Sequence, residues 1–166
     1  PLQLLAQGMG NGRILLLEPR RLAARSVAQR LAELSGNKLG EPVGYRMRAH
    51  SCFGRDTRLE VVTEGILTRL IQQDPEINGT DLVILDEFHE RSLQADLALA
   101  LLLDVQAGLR EDLKILIMSA TLDDNRLQQR LPLAPVIVSQ GRSFPVERRY
   151  NPLPAHQRFD DAVAQA

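Results

Sequence analysis

Two adjacent carboxylates, Asp86 and Glu87, follow directly after the apolar run Leu82–Leu85. Carboxylates at the end of a strand can divide the work of phosphate-ester chemistry, with one holding Mg²⁺ and the other orienting or activating a water molecule. Acidic residues at this place can equally begin the next helix, where the positive end of the helix dipole stabilises them. The pair by itself therefore leaves a hydrolytic site and an ordinary helix start both open.

Three more polar residues stand close behind apolar runs. His89 could bridge groups on two separate elements through its two ring nitrogens, or it could lie on a helix surface. The hydroxyls of Ser119 and Thr121 could form hydrogen bonds between strand ends, or cap a helix ahead of Asp123. In open α/β sheets, ligands bind beyond the carboxyl ends of the strands, so these residues are candidates for the same site.

Basic residues cluster at two places that suit contacts with phosphate. Arg20 and Arg21 stand at a predicted helix start, where guanidinium groups and the helix N-terminus can bind phosphate. A solvated face or ion pairs to Glu18 explain them equally well. The segment Arg46–Arg58 is a predicted loop with Phe53 as a stacking surface. Its basic cluster consists of Arg48, His50 and Arg55.

The elements that must position these residues alternate between strands and helices. Continuous apolar runs predict five buried strands, Ile14–Leu17, Leu59–Val62, Leu82–Leu85, Ile115–Met118 and Val136–Val138. Helical patterns lie among them at residues 23–34, 63–73 and 90–109. The alternation predicts a doubly wound α/β domain, in which a mainly parallel sheet carries helices on both faces.

Each predicted helix has a signal of its own. The first has apolar side chains on one face, at Ala23, Val27, Leu31 and Leu34, and Gly36 follows at the position of a left-handed C-cap. The second has Thr63 as its predicted N-cap and Glu64 in its first turn. The third is apolar nearly all round, so we expect it to be well buried.

Composition and charge exclude several classes of protein. The 166 residues are 44% hydrophobic and 25% charged, which fits one folded domain and neither a disordered nor a fibrous chain. The longest apolar run, Leu97–Leu103, is far shorter than the roughly 20 residues of a membrane-spanning helix, so no membrane partner is expected. The single cysteine, Cys52, excludes an internal disulfide, and we expect a cytoplasmic location. The net charge of -1 gives no overall attraction to nucleic acid.

Four segments, taken in order, resemble the motif set of the superfamily-two helicases, and specifically of the DEAH-box branch. They are Glu18–Arg25 (motif Ia), Thr63–Gly65 (motif Ib), Asp86–Arg91 (motif II) and Ser119–Thr121 (motif III). Phe88 stands where the branch has the alanine of its name, and Glu18 where it has glutamine. Both variants are similar to the bacterial HrpB-type ATP-dependent helicases.

The resemblance implies roles in ATP hydrolysis for three residues of motif II. By that resemblance Asp86 would hold Mg²⁺, and Glu87 would position or activate the attacking water. His89 would couple hydrolysis to a second domain. ATP and Mg²⁺ are the implied cofactors.

The resemblance also implies roles for residues of the other motifs. Ser119 and Thr121 would relay the state of the nucleotide to strand movement. Arg20, Arg21 and Thr63 would contact the phosphate backbone of one nucleic-acid strand, which we expect to be single-stranded RNA, with DNA as the alternative.

The implied fold is a RecA-like domain of the P-loop NTPase type that lacks its first strand. Residues 1–141 would be most of the first motor domain, and residues 142–166 the proline-punctuated linker and the start of the second. The phosphate-binding pattern G-x-x-x-x-G-K-S/T is absent from the 166 residues, since neither Lys38 nor Lys114 has that context. We expect it just before Pro1, and we expect the 166 residues alone to have no ATPase activity.

The leading hypothesis is an ATP-dependent nucleic-acid helicase or translocase. A second hypothesis is a catalytically silent α/β module that binds nucleic acid or a partner protein. A third is a Mg²⁺-dependent phosphotransfer domain with Asp86 as the acceptor, which would need a further acidic pair near another strand end. The sequence immediately upstream of Pro1 would distinguish the first two.

Overall fold

The apolar runs form a six-stranded sheet in the computed structural model. The strands are β1 (Arg13–Leu17), β2 (Val43–Met47), β3 (His50–Cys52), β4 (Leu59–Val62), β5 (Thr80–Leu85) and β6 (Lys114–Ile117). Their order is β3-β2-β4-β1-β5-β6, and every pair is parallel except β2 with β3. The two central strands, β4 and β1, are buried almost throughout, because each lies between two neighbouring strands and beneath both helical layers.

The structure describes residues 1–8, 12–120, 125–139, 141, 144, 146–148 and 150, with the backbone alone at residues 125 and 126. The chain divides into two units, Pro1–Asn125 and Arg126–Ala166, and the first contains the whole sheet. The boundary expected at residues 141 and 142 stays a prediction. Among the described residues, none of the helices has the length and hydropathy that spanning a bilayer requires.

Helices cover both faces of the sheet. In the first unit they are α1 (Leu2–Ala6), α2 (Arg21–Leu34), α3 (Glu64–Gln73) and α4 (Leu93–Gly108), with a 3-10 turn at Phe88–Glu90. A further helix, α5 (Asn125–Arg130), begins at the last residue of that unit and otherwise belongs to the second. One set of alternate strand side chains, including Ile14, Leu16 and Val61, packs with α1 and α2. The other set points to the opposite face, where α3 and α4 supply the remaining buried apolar side chains.

Helix α2 approaches the sheet through alanines. Ala24, Ala28 and Ala32 are at most 1% exposed, and Val27 and Leu31 of the predicted apolar face pack beside them, partly buried. Leu34 is 59% exposed, so the predicted face is wrong at that residue. Small side chains lie against the strands because they allow the closest approach of helix and sheet. The predicted C-cap is present: Gly36 has a φ of +72°, and the N–H of Asn37 donates to the Ala32 carbonyl at 3.0 Å.

Helix α4 begins later than expected and is not buried all round. Ser92 caps it, accepting a hydrogen bond at 2.9 Å from the N–H of Ala95. Leu93 is 81% exposed and Leu97 is 41% exposed. Apolar content alone does not reveal which face of an outer helix lacks a covering layer.

The segment predicted as a loop, Arg46–Arg58, begins instead with the end of β2 and the whole of β3. Val43, Tyr45 and Met47 point to the α2 face of the sheet, whereas Gly44 and Arg46 point to the other. This alternation interrupts the apolar run, so the continuity rule that identifies the other strands overlooks β2.

Two other strand predictions need correction. Val136–Val138 forms no strand, and its three side chains are between 50% and 88% exposed, because no strand in the described part of its unit pairs with it. β6 is at the predicted place, but it is only partly buried since it lies at the end of the sheet with one neighbour.

Candidate functional site

The residues that follow β4, β1, β5 and β6 meet at one edge of the sheet. The N–H of Glu18 donates to the Val62 carbonyl at 3.0 Å, and the N–H of Asp86 donates to the Leu17 carbonyl at 3.1 Å. The N–H of Phe88 donates to the Met118 carbonyl at 3.0 Å. The strand pairing therefore continues past the strand ends and places the polar segments side by side.

A tight turn after β5 carries the two adjacent carboxylates. Asp86 Oδ1 accepts a hydrogen bond at 2.8 Å from the N–H of Glu87. Glu87 has a left-handed backbone conformation, with a φ of +51°, which reverses the chain direction directly after the strand. The ring of Phe88 is only 3% exposed and anchors the turn, while the Glu87 side chain remains 45% exposed. The Glu87 carboxylate is thus exposed to solvent on a turn that the buried Phe88 ring holds in place.

His89 bridges the turn after β5 and the segment after β6. Its Nε2 lies 3.4 Å from Glu87 Oε2, and its Nδ1 accepts a hydrogen bond at 3.3 Å from the N–H of Ala120. Because Nδ1 acts as the acceptor, the ring carries its proton on Nε2, facing the Glu87 carboxylate. A displacement of the segment after β5 or of the segment after β6 would therefore be transmitted to the other through His89.

Glu18 is a buried carboxylate beside this turn. It is 5% exposed, and its Oε1 accepts a hydrogen bond at 3.3 Å from the N–H of Arg20. Burial raises the pKa of Glu18, and the nearby carboxylates of Asp86, Glu87 and Glu90 raise it further. The backbone hydrogen bond from Arg20 acts in the opposite direction.

Arg20 and Arg21 are adjacent in sequence but face different surroundings. Arg20 Nη2 donates to Glu90 Oε1 at 2.6 Å, across the gap between the β1 and β5 segments. Arg21 instead lines a groove at the N-terminal ends of α2 and α3. The structure thus separates two arginines that the sequence treats as one pair.

This groove, which we call the basic groove, has a volume of about 490 Å³. Three arginines line it, Arg21, Arg48 and Arg69, together with Pro19, Thr63, Glu64, Gly65 and Ile66. The Glu64 carboxylate accepts a hydrogen bond from the Ser92 hydroxyl, which ties the groove wall to α4. Three guanidinium groups around an open groove suit an extended polyanion.

Sequence reasoning missed Arg69 and did not reveal the surroundings of Phe53 and Thr63. Arg69 lies six residues after Thr63 on the exposed side of α3, a position that only the helical periodicity could have indicated. The Arg46 guanidinium lies over the Phe53 ring, 4.2 Å from its centre, and Phe53 as a whole remains 45% exposed. Thr63 has the predicted N-cap position, but its side chain makes no capping hydrogen bond.

Four further predicted site residues are His50, Arg55, Ser119 and Thr121. His50 on β3 and Arg55 in the loop after it do not line the basic groove. Ser119 is exposed on the segment after β6. Thr121 lies outside the described residues, so the second hydroxyl of the predicted pair stays a prediction.

The donor set fits Mg²⁺ better than a metal that needs a cage of protein ligands. In the part of the chain that the structure describes, no group of three or more His, Cys, Asp or Glu side chains could hold a metal ion. Mg²⁺ keeps several waters and binds through one or two carboxylates together with substrate phosphates. Asp86, a single carboxylate at the end of β5, is a suitable ligand of that kind.

Comparison with known proteins identifies close relatives. The family model for DEAD/DEAH box helicases matches residues 2–129. The chain is 78% identical over 166 residues to the ATP-dependent RNA helicase HrpB of Escherichia coli (strain K12) and covers 20% of it. It is 43% identical over 154 residues, 92% of its length, to an ATP-dependent RNA helicase HrpA homolog of Haemophilus influenzae, covering 12% of that protein.

Solved structures agree with the sequence comparison. The crystal structure of the Escherichia coli DEAH/RHA helicase HrpB matches 99% of this chain with a TM-score of 0.92, and the chain covers 21% of it. A second crystal structure, of the E. coli DExH-box NTPase HrpB, matches 99% of this chain with a TM-score of 0.85, and the chain covers 20% of it. Both are 78% identical in sequence to the chain.

The mainly parallel sheet with helices on both faces is the RecA-like fold of the helicase domain, which confirms the predicted fold class. The chain spans about one fifth or less of the length of these relatives. The match to the family model and the identity to its members confirm the predicted resemblance. The chain belongs to the DEAD/DEAH box helicase family.

Proposed function

We propose that this chain forms part of an ATP-dependent RNA helicase or translocase, supplying hydrolytic carboxylates and a nucleic-acid surface. One observation carries the proposal: the Asp86–Glu87 turn and the segments that begin the basic groove lie at the same carboxyl edge of one sheet. The residues for ATP hydrolysis and those for RNA binding would then be held by the same rigid sheet. The names of the relatives, which are ATP-dependent RNA helicases, support the choice of ATP and RNA.

In the hydrolytic part, Asp86 would hold Mg²⁺, which neutralises charge on the phosphates when it is bound. Glu87 would orient the attacking water with its exposed carboxylate. The chain has no G-x-x-x-x-G-K-S/T segment, so in this proposal another part of a longer polypeptide supplies the phosphate-binding loop. The greater length of the relatives is compatible with that arrangement.

In the nucleic-acid part, Arg21, Arg48 and Arg69 would contact phosphates of a single strand lying in the basic groove. Thr63, which also lines the groove, would contact the same backbone. Such contacts position a strand without reading its sequence, which suits an enzyme that moves along RNA. DNA is the alternative strand, because contacts to the phosphate backbone are common to both nucleic acids.

Coupling between the two parts would pass through His89, since it contacts both Glu87 and the backbone of Ala120. Ser119 and Thr121, on either side of Ala120, would relay the same movement. The single cysteine of the sequence supports a reducing, cytoplasmic setting for this activity.

The test is RNA-stimulated ATP hydrolysis by the full-length protein and its Glu87→Gln variant. We expect the rate to fall by at least about 100-fold, because a positioned general base contributes that much or more. Binding of ATP and RNA should be retained. Glu111→Gln, which changes an exposed carboxylate before β6, is the matched control.

Unchanged hydrolysis in Glu87→Gln would contradict the role of that carboxylate. A folded full-length protein that binds RNA but hydrolyses no ATP would favour the catalytically silent binding module instead.

A further inference from the structure

A second charged network lies within the sheet, away from the hydrolytic turn. The Glu60 side chain on β4 is completely buried, at 0% exposure. Arg46 on β2 donates two hydrogen bonds to it, from Nε to Oε1 at 2.6 Å and from Nη2 to Oε2 at 3.2 Å. Arg13 on β1 places its Nη1 3.6 Å from Oε2. One buried carboxylate thus connects three adjacent strands.

Arg46 is fixed by a second contact as well. Its guanidinium lies 4.2 Å from the centre of the Phe53 ring, at a distance typical of a cation–π interaction. Arg46 belongs to β2, and Phe53 directly follows β3, so this contact joins the two strands of the hairpin. The backbone carbonyl of Arg46 also accepts a hydrogen bond at 3.4 Å from the N–H of Thr63.

The turn of this hairpin carries Arg48, which lines the basic groove together with Arg21 and Arg69. Arg48 is exposed and has a long side chain, so holding it in one place costs conformational entropy. A rigid hairpin reduces the conformational entropy that the protein loses when an RNA strand binds. The network at Arg46 lies two residues before Arg48, where it can supply that rigidity.

Stability alone does not explain a buried charged pair at this place. Desolvation of two ions is costly, and apolar residues of similar volume often give equal or greater stability. The neighbours of Glu60 along β4 are Leu59 and Val61, so an apolar side chain would suit the strand. The pair offers instead a directional connection between β2 and β4 that apolar side chains lack.

We propose that Arg46 and Glu60 are positioning residues for RNA binding: with Phe53, they hold the β2–β3 hairpin so that Arg48 meets the phosphate backbone in the basic groove. This inference rests on the proposed function of that groove.

The experiment measures the affinity of the full-length protein for a fluorescently labelled single-stranded RNA oligonucleotide across a salt series. The Arg46→Met/Glu60→Leu double variant removes the two charges of the pair together, and Arg13, which loses Glu60 as a partner, is 39% exposed on its side chain and keeps access to solvent. We expect it to bind several-fold more weakly, with a salt slope shallower by roughly 0.7, as expected for the loss of one phosphate contact with a single strand. Its Tm should stay equal or rise.

Arg48→Ala should show the same loss of affinity and of slope. Combining it with the double variant should cause no further loss, because both changes remove the same contact. Phe53→Leu is a second, milder variant, for which we expect a smaller loss through the same contact. The control is Arg30→Ala/Glu33→Ala, which removes an exposed ion pair on α2.

The positioning role of Arg46 and Glu60 is wrong if the losses of affinity add in the combined variant. It is also wrong if the double variant keeps its affinity for RNA while Arg48→Ala binds weakly. Neither result contradicts the proposed function of the basic groove. If Arg21→Ala and Arg48→Ala both leave RNA affinity unchanged, the basic groove does not bind RNA and the proposed function of that surface fails with it.

Discussion

The guanidinium of Arg20 lies 2.6 Å from the carboxylate of Glu90, although the two residues are 70 positions apart in sequence. The contact joins the start of α2 to the turn that carries Glu87. Arg20 is 72% exposed on its side chain and faces Glu90 rather than the basic groove. A phosphate that engages Arg20 must therefore compete with Glu90, which links strand binding to the hydrolytic turn.

Removal of Glu90 should strengthen RNA binding through Arg20. We expect Glu90→Ala to raise the affinity of the full-length protein for single-stranded RNA by up to about fivefold, since exposed ion pairs contribute up to about 1 kcal/mol. A labelled-oligonucleotide titration measures the change. The Arg20→Ala/Glu90→Ala variant should bind no more tightly than Arg20→Ala, and an unchanged affinity in Glu90→Ala would show that Arg20 does not contact RNA.

His89 should affect the coupling of hydrolysis to RNA more than hydrolysis itself. In His89→Ala, we expect basal ATP hydrolysis to remain and its stimulation by RNA to fall by at least about fivefold, the lower end of typical coupling between sites. The physical reason is the loss of the bridge between Glu87 and Ala120. His50→Ala, on β3, is the matched control, and stimulation that survives in His89→Ala would assign the coupling to another residue.

The arginines of the basic groove should each contribute one phosphate contact. Arg21→Ala and Arg69→Ala should each make the salt slope of RNA affinity shallower by roughly 0.7, the value for one contact to a single strand. Binding isotherms at several salt concentrations give the slope directly. Arg30→Ala, on the outer side of α2, should leave the slope as it is, and the same result for Arg69→Ala would exclude Arg69 from the binding surface.

Glu18 should make the stability of the protein depend on pH. Its folded pKa lies above the ordinary value of 4.5, so the folded state binds the proton more tightly than the unfolded state. Stability from this group is therefore fully present below pH 4.5 and decreases as the pH rises through the folded pKa. Glu18→Gln lacks this loss and can still accept the hydrogen bond from Arg20 through its amide oxygen.

Thermal denaturation across a pH series tests this prediction. The Tm of Glu18→Gln should exceed that of the unmodified protein at neutral pH, and the difference should shrink toward pH 4. A difference that is constant with pH would mean that ionisation of Glu18 does not act on stability. Glu111→Gln, at an exposed position, serves as the control.

The central part of the sheet was predictable because its strands are buried on both faces. Continuous apolar runs identify β1, β4 and β5, and the polar residues after them are then placed at one edge by the parallel topology. This rule does not identify β2, because Gly44 and Arg46 lie on its second face and interrupt the apolar run. The exposed run Val136–Val138 shows the converse, because apolar character without a pairing partner does not make a strand.

The details of the site depend on relationships that a single sequence does not contain. The contact of Arg20 with Glu90 depends on the pairing register of β1 with β5. The place of Arg69 in the basic groove depends on the rotation of α3 about its axis. Both quantities are set by packing against the rest of the fold, so sequence pattern identifies the right segments but not which side chains meet.

The left-handed backbone at Glu87, with φ +51° and ψ +34°, places a side chain where glycine would fold at lower cost, by roughly 1 kcal/mol. The carboxylate on which the proposed hydrolysis depends therefore stands at a position that folding alone would give to another residue. Laboratory selection for heat tolerance without a requirement for activity should accept glycine at position 87 early. Glycine at this position in the turn after β5 would raise the stability of the protein and lower its catalytic activity.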